Sequence, residues 1–123
     1  MVEFQRLVSL LGEFVTFQTI SSDSRCSEEM QQASAWLSGK FEELLGATVR
    51  MVSGGVVARC GWDARKPLVI MYSHYDVVAA GKGWLTDPWT MVAMDGYFYG
   101  RGVSDNKGGP CDTPCGSLSL PSQ

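Results

Sequence analysis

A chain of 123 residues, 45% hydrophobic and 19% charged, is long enough for one domain with a real core and too apolar to stay disordered. Ten basic against thirteen acidic residues leave a net charge of −3, with no long run of either sign. That balance speaks against a nucleic-acid partner or an anionic membrane surface, and the longest apolar runs are far too short to cross a bilayer.

In chain order, Phe4, Leu7, Val8, Leu11, Phe14 and Val15 recur at helical spacing and predict an amphipathic helix over residues 2–17. The hydroxyl-rich stretch 19–27 reads as a loop that ends on Ser27 as an N-cap, with Glu28 and Glu29 in the first turn of a second helix. Met30, Ala33, Leu37, Phe41, Leu44 and Leu45 form its apolar stripe, and Gly46 supplies the stop. The period then shortens. Thr48–Val52 and residues 56–60 read as strands around Ser53-Gly54-Gly55. Leu68-Val69-Ile70-Met71-Tyr72 is a near-continuous apolar run, the pattern of a strand covered on both faces. Residues 89–94 and Tyr97–Tyr99 flank Asp95-Gly96, a two-residue hairpin signal. After Gly100 the chain is expected to be loop. Helix, helix, then strands favours an α/β layer.

Two short segments carry the chemistry. His74, the only histidine, follows directly on the strongest strand candidate, where functional groups of α/β sheets gather. Asp76 lies two residues on, on the same side of an extended segment, where a carboxylate can orient the imidazole. Asp105 sits among glycines in Arg101-Gly-Val-Ser-Asp-Asn-Lys-Gly108, and a carboxylate there can bridge two cations. Taken singly, each has a plainer reading: a satisfied histidine at a strand end, a turn-starting Asp76, an Asp-Asn turn at 105. Arg101 and Lys107 can bind an anionic group but suit solvated positions better. Trp84, Trp89, Tyr97 and Tyr99 favour packing over lining a pocket. Cysteines 26, 60, 111 and 115 are too unevenly spaced for a disulfide framework. Cys111-Asp-Thr-Pro-Cys115 would need two further ligands to hold zinc. No signal peptide is evident at the N-terminus, so reduced thiols in the cytoplasm are expected.

Taken together, Leu68-Val-Ile-Met-Tyr-Ser-His-Tyr-Asp-Val77 resembles the first zinc motif of metallopeptidase family 20, the class of carnosinases, Cys-Gly dipeptidases, aminoacylases and carboxypeptidase G. Gly83-Trp84, Asp87-Pro88-Trp89 and the run from Asp95 to Gly108 resemble the second motif and its lead-in, and the N-terminal helices around Thr19-Ile20-Ser21 fit the same pattern. The wording is most similar to the carnosinase-like branch, in particular the peptidase part of the fungal glutathione-degrading complex.

The resemblance implies an α/β fold, the N-terminal part of a zinc-peptidase catalytic domain in which two amphipathic helices precede a mixed sheet. It also implies a two-zinc site with His74 and Asp105 as metal ligands and Asp76 as the catalytic-site carboxylate orienting His74. An activated water would attack the amide carbonyl of a small peptide substrate, with a glutamate as general base. Homo- or hetero-oligomers with a related peptidase subunit are a further implication; nucleic acid and membrane are not. The resemblance covers residues 1–109. Residues 110–123, rich in Pro and Ser, are expected to form an unrelated disordered tail, because relatives continue there into an apolar helix. No Glu or His follows Asp105, so the remaining ligands and the base are missing from this sequence. The polypeptide alone is therefore expected to be inactive. The alternatives are a truncated, non-catalytic relative that binds a full-length peptidase subunit, or a fragment without its own function.

Overall fold

The computed structural model describes residues 2–111. Helix α1 runs over Val2–Val15, a 3-10 turn over Ser24–Cys26 and helix α2 over Ser27–Leu45. Strands β1 (Thr48–Val52), β2 (Gly55–Arg59), β3 (Val92–Met94) and β4 (Tyr97–Tyr99) follow. The apolar periodicity places both helices correctly. Along α1 the buried positions are Leu10, Leu11, Phe14 and Val15, and α2 answers with Ala33 and Leu37. Tyr75 and Cys111 complete this cluster. Phe14 stacks on Trp36 with ring centroids 4.8 Å apart, which joins the two helices at the level of the site.

The helix ends have identifiable causes. At the start of α2, Ser27 does not cap the helix as expected. It is the first helical residue, and its hydroxyl donates back to Ser24 O at 2.6 Å. Asp23 instead caps the preceding 3-10 turn by accepting from Arg25 N. At the C-terminus, Gly46 is left-handed at φ 59°. Its N–H and that of Ala47 donate to Glu42 O and Phe41 O, a Schellman closure.

The sheet differs from expectation. β1 pairs with β2 and β3 with β4, giving two separate antiparallel hairpins rather than one mixed sheet. Asp95 (φ 53°) and Gly96 (φ 81°) make the second turn, where two successive positive φ values suit the twist of a tight hairpin. The run 68–72 is neither strand nor buried: its residues are 67 to 90% exposed. Its residue types suit a central strand, but among the described residues no neighbouring strand pairs with it, and a strand needs a partner to exist. Past Gly100 the chain is not loop throughout. Residues 108–111 form a helical turn that admits Pro110 because a first turn needs no N–H there. Pro110 and Cys111 are buried with the core; most of the expected tail, from residue 112 on, lies outside the described residues.

Candidate metal centre

Two residues beyond the exposed run, the chain changes character. Tyr75 and Val77 are buried while His74 and Asp76 are only partly so, an alternation that sends the two functional side chains outward together. The cause is Thr19. Its hydroxyl donates to Tyr75 O at 2.6 Å and its carbonyl accepts from Val77 N at 2.8 Å, so one buried residue brackets Asp76 from both sides. Val77 then packs with Ile20, Cys26 and Trp89 in a second, smaller cluster.

The turn that carries Asp105 is set against this segment by close packing. Gly102 has φ 92°, and a methyl group there would approach Val77 Cγ1 to 2.9 Å, so only glycine fits. Lys107 N donates to Gly102 O at 2.8 Å, closing the turn.

These supports bring three of the expected residues together. His74 Nε2 lies 3.0 Å from Asp105 Oδ1, and His74 Nδ1 lies 3.3 Å from Asp76 Oδ1 and the same distance from Asp76 O. Asp76 Oδ2 in turn accepts from the Ser21 hydroxyl at 2.8 Å. The result is a chain Ser21–Asp76–His74–Asp105, with a carboxylate at each imidazole nitrogen. It borders a cavity of about 340 Å³ that Ser22, Arg101 and Ser104 also line.

Chemically, the two ends of the imidazole are not equivalent. The Asp76 end is supported by a further hydroxyl and suits Nδ1–H donation, which leaves the Nε2 lone pair facing Asp105. Nitrogen and oxygen donors on one tetrahedral zinc, at usual bond lengths, lie about 3.4 Å apart. The 3.0 Å separation of Nε2 and Oδ1 is near that spacing, and Asp105 at 87% exposure is open to a cation. His74 Nε2 and Asp105 Oδ1 are donor types that a divalent metal accepts, and Asp76 lies at the other nitrogen of the ring. No group of three or more His, Cys, Asp or Glu side chains converges on a metal position among the described residues. Asp87 and Asp95 do not line the cavity. Asp87 caps its own turn by accepting from Trp89 N and the Thr90 hydroxyl, which lowers its carboxyl below the usual range.

The two cations are placed differently from expectation. Lys107 is not a solvated side chain but is fully buried. Burial pushes its ammonium down to about 8, with Glu29 acting in the opposite direction. Arg101 lines the cavity, lies over the Trp84 ring at 5.3 Å and donates to Ala80 O at 3.3 Å. Of the aromatics, Trp89 packs as expected, while Trp84 and Tyr99 line a second cavity and Tyr97 is exposed. Cys111 is a core residue, and Cys115 lies outside the described residues. The supporting roles of Thr19 and Ser21 were not legible as such, since a hydroxyl-rich stretch has the composition of an ordinary loop.

Comparison with known proteins places the chain beside a family of peptidases. Residues 70–110 match the model of Peptidase family M20/M25/M40. Among curated proteins, the Probable di- and tripeptidase DUG2 of Saccharomyces cerevisiae is 32% identical over an alignment of 123 residues, covering 85% of this chain. The Beta-Ala-His dipeptidase of Rattus norvegicus is 53% identical over 55 residues, covering 43% of it. The chain spans only 14% and 11% of these two relatives. The crystal structure of human carnosine dipeptidase 1 superposes with a TM-score of 0.78 at 29% identity, over 95% of this chain and 29% of that one. A structure of the di-peptidase Dug1p from Saccharomyces cerevisiae shares the fold at a TM-score of 0.72 and 23% identity. In its matched segment, its curated relatives and its fold, the chain is similar to members of Peptidase family M20/M25/M40.

Proposed function

We propose that residues 1–109 are the N-terminal portion of a metallopeptidase catalytic domain, contributing half of a zinc centre for hydrolysis of a dipeptide or glutathione-type amide in the cytoplasm. The observation that carries this reading is the meeting of His74 and Asp105, 31 positions apart, at 3.0 Å beside an open cavity. The dipeptidase names of the relatives support the substrate class. Zinc, when bound, would polarise the scissile carbonyl and lower the pKa of water. The protein's part is to hold Nε2 unprotonated through the Asp76 contact, to offer the Asp105 carboxylate, and to present Arg101 to an anionic group of the peptide.

Among the described residues, the two protein ligands are fewer than the three that catalytic zinc sites usually use. The 123-residue polypeptide alone is therefore expected to bind zinc near one equivalent but to hydrolyse Cys-Gly and β-Ala-His negligibly. Equilibrium dialysis should show zinc retained by the wild type and lost in His74→Ala. Equal zinc content in both would overturn the metal site. Zinc-dependent hydrolysis that His74→Ala abolishes would overturn the inactivity.

The exposed run 68–72 favours a second reading, a non-catalytic relative that docks on a full-length peptidase subunit through this apolar stretch. Co-elution with such a subunit, abolished by Ile70→Asp, is the expected result; separate elution of the wild type counts against it.

A further inference from the structure

The Asp105 side chain is 87% exposed, so packing around the carboxylate does little to aim it. Its direction depends on the backbone turn beneath it. That turn is tied down by side chains that do not belong to the ligand set. Asn106, immediately after Asp105, donates from Nδ2 to the hydroxyl of Ser73, immediately before His74, at 2.8 Å. This side-chain bond joins the two ligand-bearing segments one residue away from each ligand. Gly109 closes the same corner, because a methyl group there would collide with Ser73 Oγ.

Lys107 supplies the other anchor. Its Nζ donates to Phe17 O at 2.6 Å and to Phe14 O at 3.1 Å, at and just beyond the end of α1. It also lies over the Phe14 ring at 5.4 Å. A methionine would fill much of the same space without burying an ammonium, so filling volume does not explain the choice of lysine. What an ammonium adds is direction. Apolar packing tolerates sliding, whereas hydrogen bonds to two carbonyl oxygens fix one position.

We propose that Ser73, Asn106 and Lys107 are positioning residues that clamp the Asp105 turn onto the His74 segment and preset the pair at ligand spacing before a cation arrives. The proposal rests on the reading of His74 and Asp105 as a metal-binding pair, and its test separates the two. Because His74 is the only histidine, its imidazole gives one unambiguous set of NMR signals in the full chain. The ring is recorded without metal and during zinc titration, at one fixed pH, for the wild type, Asp105→Asn, Ser73→Ala, Asn106→Ala and Lys107→Met.

Without metal, Ser73→Ala and Asn106→Ala are expected to move the ring signal toward that of Asp105→Asn, and Lys107→Met to move it further. With zinc, each is expected to raise the half-saturation concentration about tenfold or more, as losses behind metal ligands usually do. Should Lys107→Met fail to fold, the variants at the half-buried Ser73 and Asn106 carry the test. A lowered melting temperature with ring signals and zinc midpoint both unchanged would reveal a purely structural role and overturn the clamp. So would a ring signal identical in the wild type and Asp105→Asn. If zinc leaves the wild-type ring unmoved, the metal reading fails, while the metal-free comparison still decides the clamp.

Discussion

Residues 68–72 and 73–77 are consecutive stretches of one segment, yet they meet opposite fates. The first is the more apolar and is almost wholly exposed, with Ile70 at 81%; the second contains His74 and Asp76 and is half buried. Hydrophobicity would have ranked them the other way. The difference lies in partners. Tyr75 and Val77 are held by Thr19 from the α1–α2 loop and packed against the two core clusters, whereas the apolar run has no neighbouring strand among the described residues. Burial is a property of pairs of surfaces, and only one of these stretches has been given its second surface.

The largest test of this contrast is Phe14→Ala. Phe14 is fully buried against Trp36 and Tyr75, so its truncation is expected to cost about 3–5 kcal/mol and to loosen the His74 segment from behind. Urea denaturation measures it; a loss below about 1 kcal/mol would mean that the packed side of the comparison is not packed in solution.

Next comes Thr19→Val, which keeps the shape but removes the hydroxyl that Tyr75 O accepts. A loss of about 1–3 kcal/mol is expected, together with faster amide exchange at Val77. If exchange there is unchanged, the bracket is not what separates 73–77 from 68–72.

A smaller effect is expected at Asp87. Its carboxyl is held below the ordinary 3.8 chiefly by the Trp89 N–H and then by the Thr90 hydroxyl. A depressed carboxylate stabilises the fold above its unfolded value and loses that contribution as pH falls through the folded value. Asp87→Asn should therefore narrow its difference from the wild type below about pH 3.8 in acid denaturation. A gap that persists unchanged into strong acid would assign the turn to something other than the charge.

The smallest effect belongs to the exposed run. Ile70→Ala is expected to change the stability of the single chain by no more than about 0.5 kcal/mol. A core-sized loss would show that 68–72 is covered in solution and would erase the comparison.

Much of the fold was legible because helical periodicity is a local signal. The stripes of α1 and α2, the Gly46 stop and the Asp95-Gly96 turn all depend on residues within a few positions of one another. The candidate site was legible in part for a different reason: His74, Asp76 and Asp105 each have a plainer reading alone, and only the run of motifs around them points to a metal site. Lys107 was misread because a lysine is ordinarily solvated, and only the end of α1 arriving beside it makes burial tolerable. Ser21 and Thr19 were invisible as site residues, since nothing within their own loop announces which distant backbone they will meet.

What the sequence determined by itself, then, is the set of local elements and the chemical identity of the donors, both carried by residue type and short-range spacing. Only the tertiary structure decided that His74 and Asp105 face each other at 3.0 Å, that Asp76 stands behind the ring, and that the most apolar run of the chain lies open. Those outcomes depend on contacts between residues tens of positions apart. Such contacts form only when the gain from packing exceeds the entropy of bringing the segments together, a balance that no single stretch of sequence contains.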